Sequence, residues 1–416
     1  MTQIFKNIYA YSKTFLLWFF VALIIGFVGG AVGVLFHFAL DWVTEFRTEY
    51  GFIILFLPLG GILIAVLYRL FKANGPIDTN RVIDAVRKQE KVPFVMVPLI
   101  FISTAITHLF GGSAGREGAA LQIGGGIGYN MAKALRLKER DIKIMTMAGM
   151  SSVFAALFGT PVTAAVFALE VIRVGIFNYS GILACLISAA TGFLLSVTAG
   201  ITPLRFTIPA PELSALLILK VIVLSVCAAI LCILFCSALH HGYTQFKKWI
   251  HNRYLRIFAG GVLIILLTIL VGTQKYNGAG METIVSAING KAEIYDFLLK
   301  ILFTAITIGA GFKGGEIVPT LYIGATFGCV AAPVLGMDAG FGAAIGMVAM
   351  FCGMVNCPLA SVILAAELFG TEGLLLFAIA CAVSYIFSGY SGLYKSQNIV
   401  YAKLGGQKIN AHTKGV

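Results

Sequence analysis

The sequence predicts an all-α polytopic membrane protein, built as an inverted repeat of broken, re-entrant helices. Three observations carry this expectation. First, 59% of the 416 residues are hydrophobic and 12% are charged, with a mean hydropathy of +0.93. A soluble domain carries about a quarter of its residues as charges, so too little polar surface remains here to cover a globule in water. Second, apolar runs recur along the chain, several of only about a dozen residues and interrupted by Gly or Pro, where a straight crossing needs roughly 20. Third, two motifs recur in the same order in the two halves.

The first run, FLLWFFVALIIGFVGGAVGVLFHFALDWV, is too long for a signal-peptide core and shows no small-residue cleavage site, so it reads as a retained spanning helix. Further candidate spans follow. Together they cover 11–39, 51–70, 93–110, 119–133, 144–158, 161–175, 178–198, 213–237, 257–272, 294–311, 320–332, 341–355, 358–370 and 371–389. The breaks at GTPV and NCPL suggest helices that stop partway, with loop backbone lining a polar cavity. The 47 glycines allow close helix packing.

The formal charge is +12, and its placement gives orientation. Lys and Arg crowd Arg69 to Lys91, Lys133 to Lys143, Lys247 to Arg256 and Lys395 to Lys414, which the positive-inside rule assigns to the cytoplasmic face. These clusters are short, lie between spans and lack interleaved aromatics, so nucleic acid is not an expected partner. Membrane lipid is. The eight cysteines lie mostly in apolar runs with neither zinc spacing nor His partners, so they read as core residues and no metal site is expected.

The repeat sets the domain plan. GTPVTAAVFALE, Gly159 to Glu170, matches NCPLASVILAAE, Asn356 to Glu367; GREGAALQIGGGIG from Gly115 matches GEIVPTLYIGATFG from Gly315. One transmembrane domain is expected over 1–401, with repeats at roughly 40–199 and 213–389 and a short cytoplasmic tail at 402–416. The charge pattern puts the entry to the first half inside and the 200–213 stretch outside, so the halves should be inverted around a midplane site.

That site falls at the repeated glycine runs. An apolar helix beginning near Ala119 would point its first N–H groups at Gly115, Arg116, Glu117 and Gly118. A second helix would do the same at Gly315, Ile317 and Val318, with Pro319 suited to its first turn. Orphan N–H groups at the positive end of a helix dipole bind an anion without a buried cation, and so can also release it. Glu117 is itself an anion at such a terminus. Ionised, it can occupy the site; protonated, it can leave, which gives a physical basis for exchanging an acid equivalent against an anion. The competing reading fixes Glu117 structurally on Arg116 or on backbone amides. Arg116 reads as structural or field-shaping. Glu170 and Glu367 end matching helices and read as capping or pairing groups, and His108 as a packed histidine. A clustered His/Asp/Cys set, a G-x-S-x-G turn and a cofactor motif are all missing, so neither an enzyme nor a cofactor is expected.

The chain resembles the CLC family of chloride channels and proton-coupled anion antiporters over almost its whole length. GREGA resembles the family's GREGP or GKEGP motif, which puts Glu117 on the external gating glutamate. GGEIVP resembles GxFxP, with Gly315, Ile317 and Pro319 on its fixed positions. ANGPID resembles GSGIP, with Asn74 at the central serine and Gly75 beside it, and Tyr394 in SGLYKSQ falls on the inner-gate tyrosine. The resemblance implies a CLC-like fold without CBS domains. It also implies a homodimer with one anion pathway per subunit, and multi-pass residence in a cell membrane, the inner or plasma membrane of a bacterium.

The departures narrow the function. FALEV keeps Glu170 but has Val171 where chloride-proton exchangers carry a second, internal glutamate, and Glu316 stands where chloride-selective members have an apolar residue. This combination is similar to the fluoride-proton antiporter branch, in which a threonine commonly occupies the position of Val318. Fluoride is small, strongly hydrated and a good hydrogen-bond acceptor, so it calls for donors such as Asn74 and protonated Glu117 or Glu316. The alternative for Glu316 is a carboxylate tied to Lys313, and for Asn74 a loop cap before Gly75-Pro76. Fluoride export coupled to proton import is the expectation; a chloride-proton antiporter or a voltage-gated-type chloride channel is the alternative.

Overall fold

The computed structural model describes residues 2–72, 78–209 and 211–413. Asn74 and Gly75 lie outside the described residues. Helices dominate. The first half contains α1 (Thr2–Glu49), α2 (Leu57–Leu70), α3 (Thr79–Lys88), α4 (Met96–Leu109), α5 (Glu117–Ala134), α6 (Glu139–Phe158), α7 (Pro161–Glu170) and α8 (Ile182–Thr198). The second contains α9 (Ala215–Trp249), α10 (Arg253–Val271), α11 (Met281–Ile288), α12 (Asp296–Ala310), α13 (Ile317–Val334), α14 (Ala339–Val355), α15 (Pro358–Phe369) and α16 (Leu374–Phe387). Among the described residues, seven helical stretches are long and apolar enough to cross a membrane, and five shorter apolar helices accompany them.

The two sets of eight correspond in order, and three reciprocal contacts relate them. Gly115 and Gly315 form an antiparallel bridge in which each N–H donates to the other's carbonyl at 2.6 Å. Thr307 Oγ1 accepts from the Ser113 N–H at 3.0 Å, and Thr107 Oγ1 accepts from the Lys313 N–H at 3.3 Å. Glu367 accepts from the N–H groups of Val162 and Thr163 at the start of α7, while Glu170 accepts from those of Leu359 and Ala360 at the start of α15. Equivalent groups that exchange places across an antiparallel pair imply a local two-fold between inverted halves. Glu170 and Glu367 are thus helix caps, each satisfying orphan donors of the other half.

Local chemistry explains the breaks. Helices α6 and α14 end at Gly159 and Asn356, both in the left-handed region (φ +70° and +55°), and Pro161 and Pro358 then open the next helix where a missing N–H costs nothing. Asn356 tolerates this conformation because its amide donates to the Ser391 carbonyl at 2.9 Å. Packing at the centre is close: a Cβ on Gly128 or Gly328 would collide with the facing carbonyl of Met145 or Gly342. Helix α6 is accordingly enclosed, with 89% of its most apolar stretch buried, whereas α10 has only 28% buried and lies on the outside of the bundle.

Three features depart from the sequence expectation. Helices α1 and α9 are single elements of 48 and 35 residues that run past the apolar windows. Two short helices, α3 and α11, were hidden between spans. A three-stranded sheet joins β1 (Arg173–Val174), β2 (Asn398–Tyr401) and β3 (Lys408–His412), with β1 parallel and β3 antiparallel to β2, so the expected tail contributes ordered structure. The eight cysteines are free, and seven of them are buried.

Candidate functional site

The Gly115–Gly315 bridge brings two helix starts together. Directly beyond it α5 begins at Glu117 and α13 at Ile317, so their first N–H groups converge. Only glycine fits here. A Cβ on Gly118 would lie 2.9 Å from Gly315 Cα, and one on Gly315 would lie 2.5 Å from the Gly118 nitrogen.

The Glu117 side chain, 2% exposed, turns back into this junction. Its Oε2 accepts from the Arg116 N–H at 2.9 Å and lies beside Gly115, close to Val318 at the start of α13. One carboxylate therefore lies against both helix starts, at the positive ends of their dipoles. Ile317 and Val318 are buried, and the contribution of Val318 is its N–H rather than its side chain.

Glu316 stands just before α13, half-buried, with its Oε2 beside Gly118; a Cβ there would be 3.3 Å away. The charges of Asp78 and Lys313 act on it, and the Lys313 ammonium lies 5.0 Å from the Tyr68 ring centroid. Sequence reasoning missed two neighbours. Thr320 Oγ1 donates to the Glu316 carbonyl at 2.8 Å, and Thr79, at the start of α3, reaches the Gly118 carbonyl at 3.4 Å while accepting from Gln122 at 3.2 Å. The faint signal was a small polar residue beside a glycine motif, the recurring one for Thr320 and ANGPID for Thr79.

Tyr394 lies in the loop after α16, 2% exposed, its hydroxyl without a hydrogen-bond partner among the described residues. Electrostatically it couples to both Glu316 and Glu117. Its loop is pinned: Thr413 Oγ1 donates to the Tyr394 carbonyl at 2.5 Å, the Ser396 N–H to Asn80 at 2.9 Å, and Ser396 Oγ to Asp84 at 2.5 Å. Burial pushes the Asp84 carboxyl up, but hydrogen bonds from Ser396 and Lys88, with the Lys88 charge, outweigh that and hold it below the ordinary carboxylate range. Val171 is wholly buried, and Gln397 donates to its carbonyl at 3.1 Å. His108 is packed, with its carbonyl accepting from Arg47 at 3.0 Å.

Arg116 points away from the junction. Its guanidinium donates to Asp41 at 3.2 Å and contacts His37 at 3.0 Å, both on α1, while its Nε stays 3.8 Å from Glu117. Arg116, Glu117 and His37 line a small 90 Å3 space, and His37 and Arg116 also line a 610 Å3 outer cavity.

The voltage gated chloride channel family model matches residues 60–389. The chain belongs to the CLC family. A "Chloride/fluoride channel protein" of Pseudomonas syringae pv. tomato is 35% identical over 394 residues, 93% of this chain and 87% of the relative. An H(+)/Cl(-) exchange transporter of Vibrio cholerae is 27% identical, covering 86% of this chain and 83% of its own length. Among solved structures, a CLC-type fluoride/proton antiporter matches with a TM-score of 0.89 at 33% identity, over 92% of this chain and 98% of that one. A slow cyanobacterial Cl-/H+ antiporter, at 19% identity and a TM-score of 0.77, shares the fold over 89% of this chain and 94% of its own. The chain is thus a multi-pass CLC membrane protein for anion transport and not an enzyme.

Proposed function

We propose that the protein expels fluoride in exchange for protons, with Glu117 as the moving, protonatable group. The observation that carries this reading is the Glu117 carboxylate, which is held by the Arg116 N–H against the starts of α5 and α13. Ionised, it competes with an anion for the same N–H groups; protonated, it loses much of its claim on them and yields the place. Each proton carried on Glu117 thereby frees one anion position, and anion binding in turn favours the protonated, displaced gate.

Gly115, Gly118 and Gly315 keep the amides open. Ile317 and Val318 supply backbone at the second helix start, and Glu316 adds a donor when protonated. Arg116 shapes the field at the gate, and Tyr394 closes the inner end. Asn74 and Gly75 are proposed to complete the pathway. Selectivity for fluoride is supported by Glu316 beside Gly118, by the apolar Val171, and by the fluoride in the names of the 35% identical relative and the best-fitting structure reported above. A chloride route is the second reading, supported by the chloride in that relative's name. The chain is proposed to act as a homodimer with one pathway per subunit, which cross-linking of the reconstituted protein would test.

The functional test uses purified protein in fluoride-loaded vesicles under an imposed inward proton gradient. Uphill fluoride efflux with opposed proton uptake is expected. Equal chloride flux would remove the selectivity claim, and fluoride flux without proton flux would remove coupling.

A further inference from the structure

Two titratable side chains outside the gate, His37 and Asp41, face each other one turn apart on α1 and close a ring with Arg116. Asp41 Oδ2 lies 2.9 Å from His37 Nε2, Arg116 Nη1 lies 3.0 Å from His37 Nδ1, and the same Nη1 donates to Asp41 Oδ1 at 3.2 Å. The ring fixes the protonation of the imidazole. A guanidinium can only donate, so Nδ1 must be the bare acceptor, and Nε2 must carry the hydrogen that Asp41 accepts. The ring is also wet on one side: Asp41 is 48% exposed, whereas His37 and Arg116 are 14% and 18% exposed. His37 and Arg116 border both the outer cavity and the small space that reaches Glu117, so they stand between external water and the gate.

Arg116 matters because its backbone N–H holds the Glu117 carboxylate at 2.9 Å. Anchoring the side chain on α1 fixes the peptide that holds the gate. We propose that His37 and Asp41 are positioning residues for this gate and form an external pH latch: a proton taken up at His37 Nδ1 ejects Arg116 from the ring, loosens the Arg116 peptide and lets Glu117 leave the anion site. The proton on Nδ1 replaces the lone pair that Arg116 used and sets two cations face to face, with Asp41 to share between them. The charged and titratable groups around the ring are Asp41 and Arg47 on α1, His108 on α4, Arg116 and Glu117 at the start of α5, Lys275 in the loop after α10, and Glu282 on α11. Set among these groups, His37 makes a contact that its own protonation abolishes and that leads through Arg116 to the gate. The inference rests on the gating role proposed for Glu117.

The test is fluoride efflux from vesicles holding the wild-type protein, with internal pH fixed and external pH lowered from 8 to 5, the interval over which imidazoles change charge. Acid should accelerate efflux in the wild type. His37→Gln keeps an acceptor for Arg116 but cannot titrate, and should cut that acceleration by about tenfold, the worth of one charge-assisted hydrogen bond. Asp41→Asn should raise the rate at external pH 8 toward the wild-type acid rate, and it carries the test if the His37 variant fails to fold. A wild-type acid response preserved in His37→Gln, or an Asp41→Asn rate unchanged at pH 8, overturns the latch. Nitrogen NMR of the histidine rings in the full-length protein gives a readout independent of transport: His37 should show hydrogen on Nε2 and a bare Nδ1 at pH 8, and the opposite tautomer overturns the latch. If that signature is present while the wild type moves no fluoride, the functional reading has failed and not the ring.

Discussion

The glycine runs before α5 and α13 are copies in shape and strangers in chemistry. Gly115 pairs with Gly315, both following helices are 18 residues long, and Thr107 and Thr307 trade equivalent hydrogen bonds across the junction. Yet Arg116 stands opposite Glu316, Glu117 opposite Ile317, and Gly118 opposite Val318. A symmetric backbone supplies amides from both sides, which is enough to bind an anion. The first half puts a carboxylate on the Arg116 N–H, against both helix starts, and anchors an arginine away from the junction, whereas the second half's Glu316 lies beside Gly118. On the proposed reading, shape provides the anion site, and the divergence of three side chains provides a gate on one side of it.

The largest way to break this comparison is to remove titration from the half that has it. Glu117→Gln keeps shape but cannot titrate, and proton uptake driven by fluoride should fall to background in vesicles. Unchanged proton uptake would end the gate assignment. The next is to disturb the shared shape. Gly315→Ala forces a methyl group onto the Gly118 nitrogen and should cost about 1–3 kcal/mol of overpacking, along with fluoride transport. A variant that transports normally would mean the two helix starts need not approach.

A smaller effect should separate the reciprocal caps. Glu170 is 7% exposed and its loss strands two donors, one of them buried, so Glu170→Ala should destabilise by about 1–3 kcal/mol. Glu367 caps the more exposed start of α7, and Glu367→Ala should cost about 1 kcal/mol or less. Thermal midpoints in detergent would rank them, and the reverse order would contradict the burial argument. The smallest effect is at the cytoplasmic face. The Asp84 carboxyl titrates below its unfolded value of about 3.9, so its contribution is complete above that pH and fades as pH falls through the folded value. Asp84→Asn should lower the midpoint at pH 7, with the gap to wild type closing in strong acid; a gap independent of pH would show that the charge is not what ties α3 to the Tyr394 loop.

Much of this was legible in the residues. The repeats at Gly159–Glu170 and Asn356–Glu367 carried their Pro starts and their Glu caps in plain view, and the Arg-Glu pair in a glycine run marked the junction of the two helix starts. Other features were not. A helix in lipid is apolar nearly all round, so no periodicity announced that α1 and α9 run on into water. Helices α3 and α11 are too short to stand out between spans, and β1 pairs with β2 across more than half the chain, which no local pattern encodes. His37 and Asp41 were visible as a spaced polar pair in an apolar run, but their partner, Arg116, lies on another helix.

The central claim, that a single protonatable carboxylate exchanges places with fluoride, is tested most directly by recording fluoride and proton flux together in the same vesicles, with chloride as comparator. The expected result is fluoride moving outward against its gradient while protons move in, with chloride left behind. Chloride carried equally well, or fluoride running down its gradient without opposed protons, would contradict it.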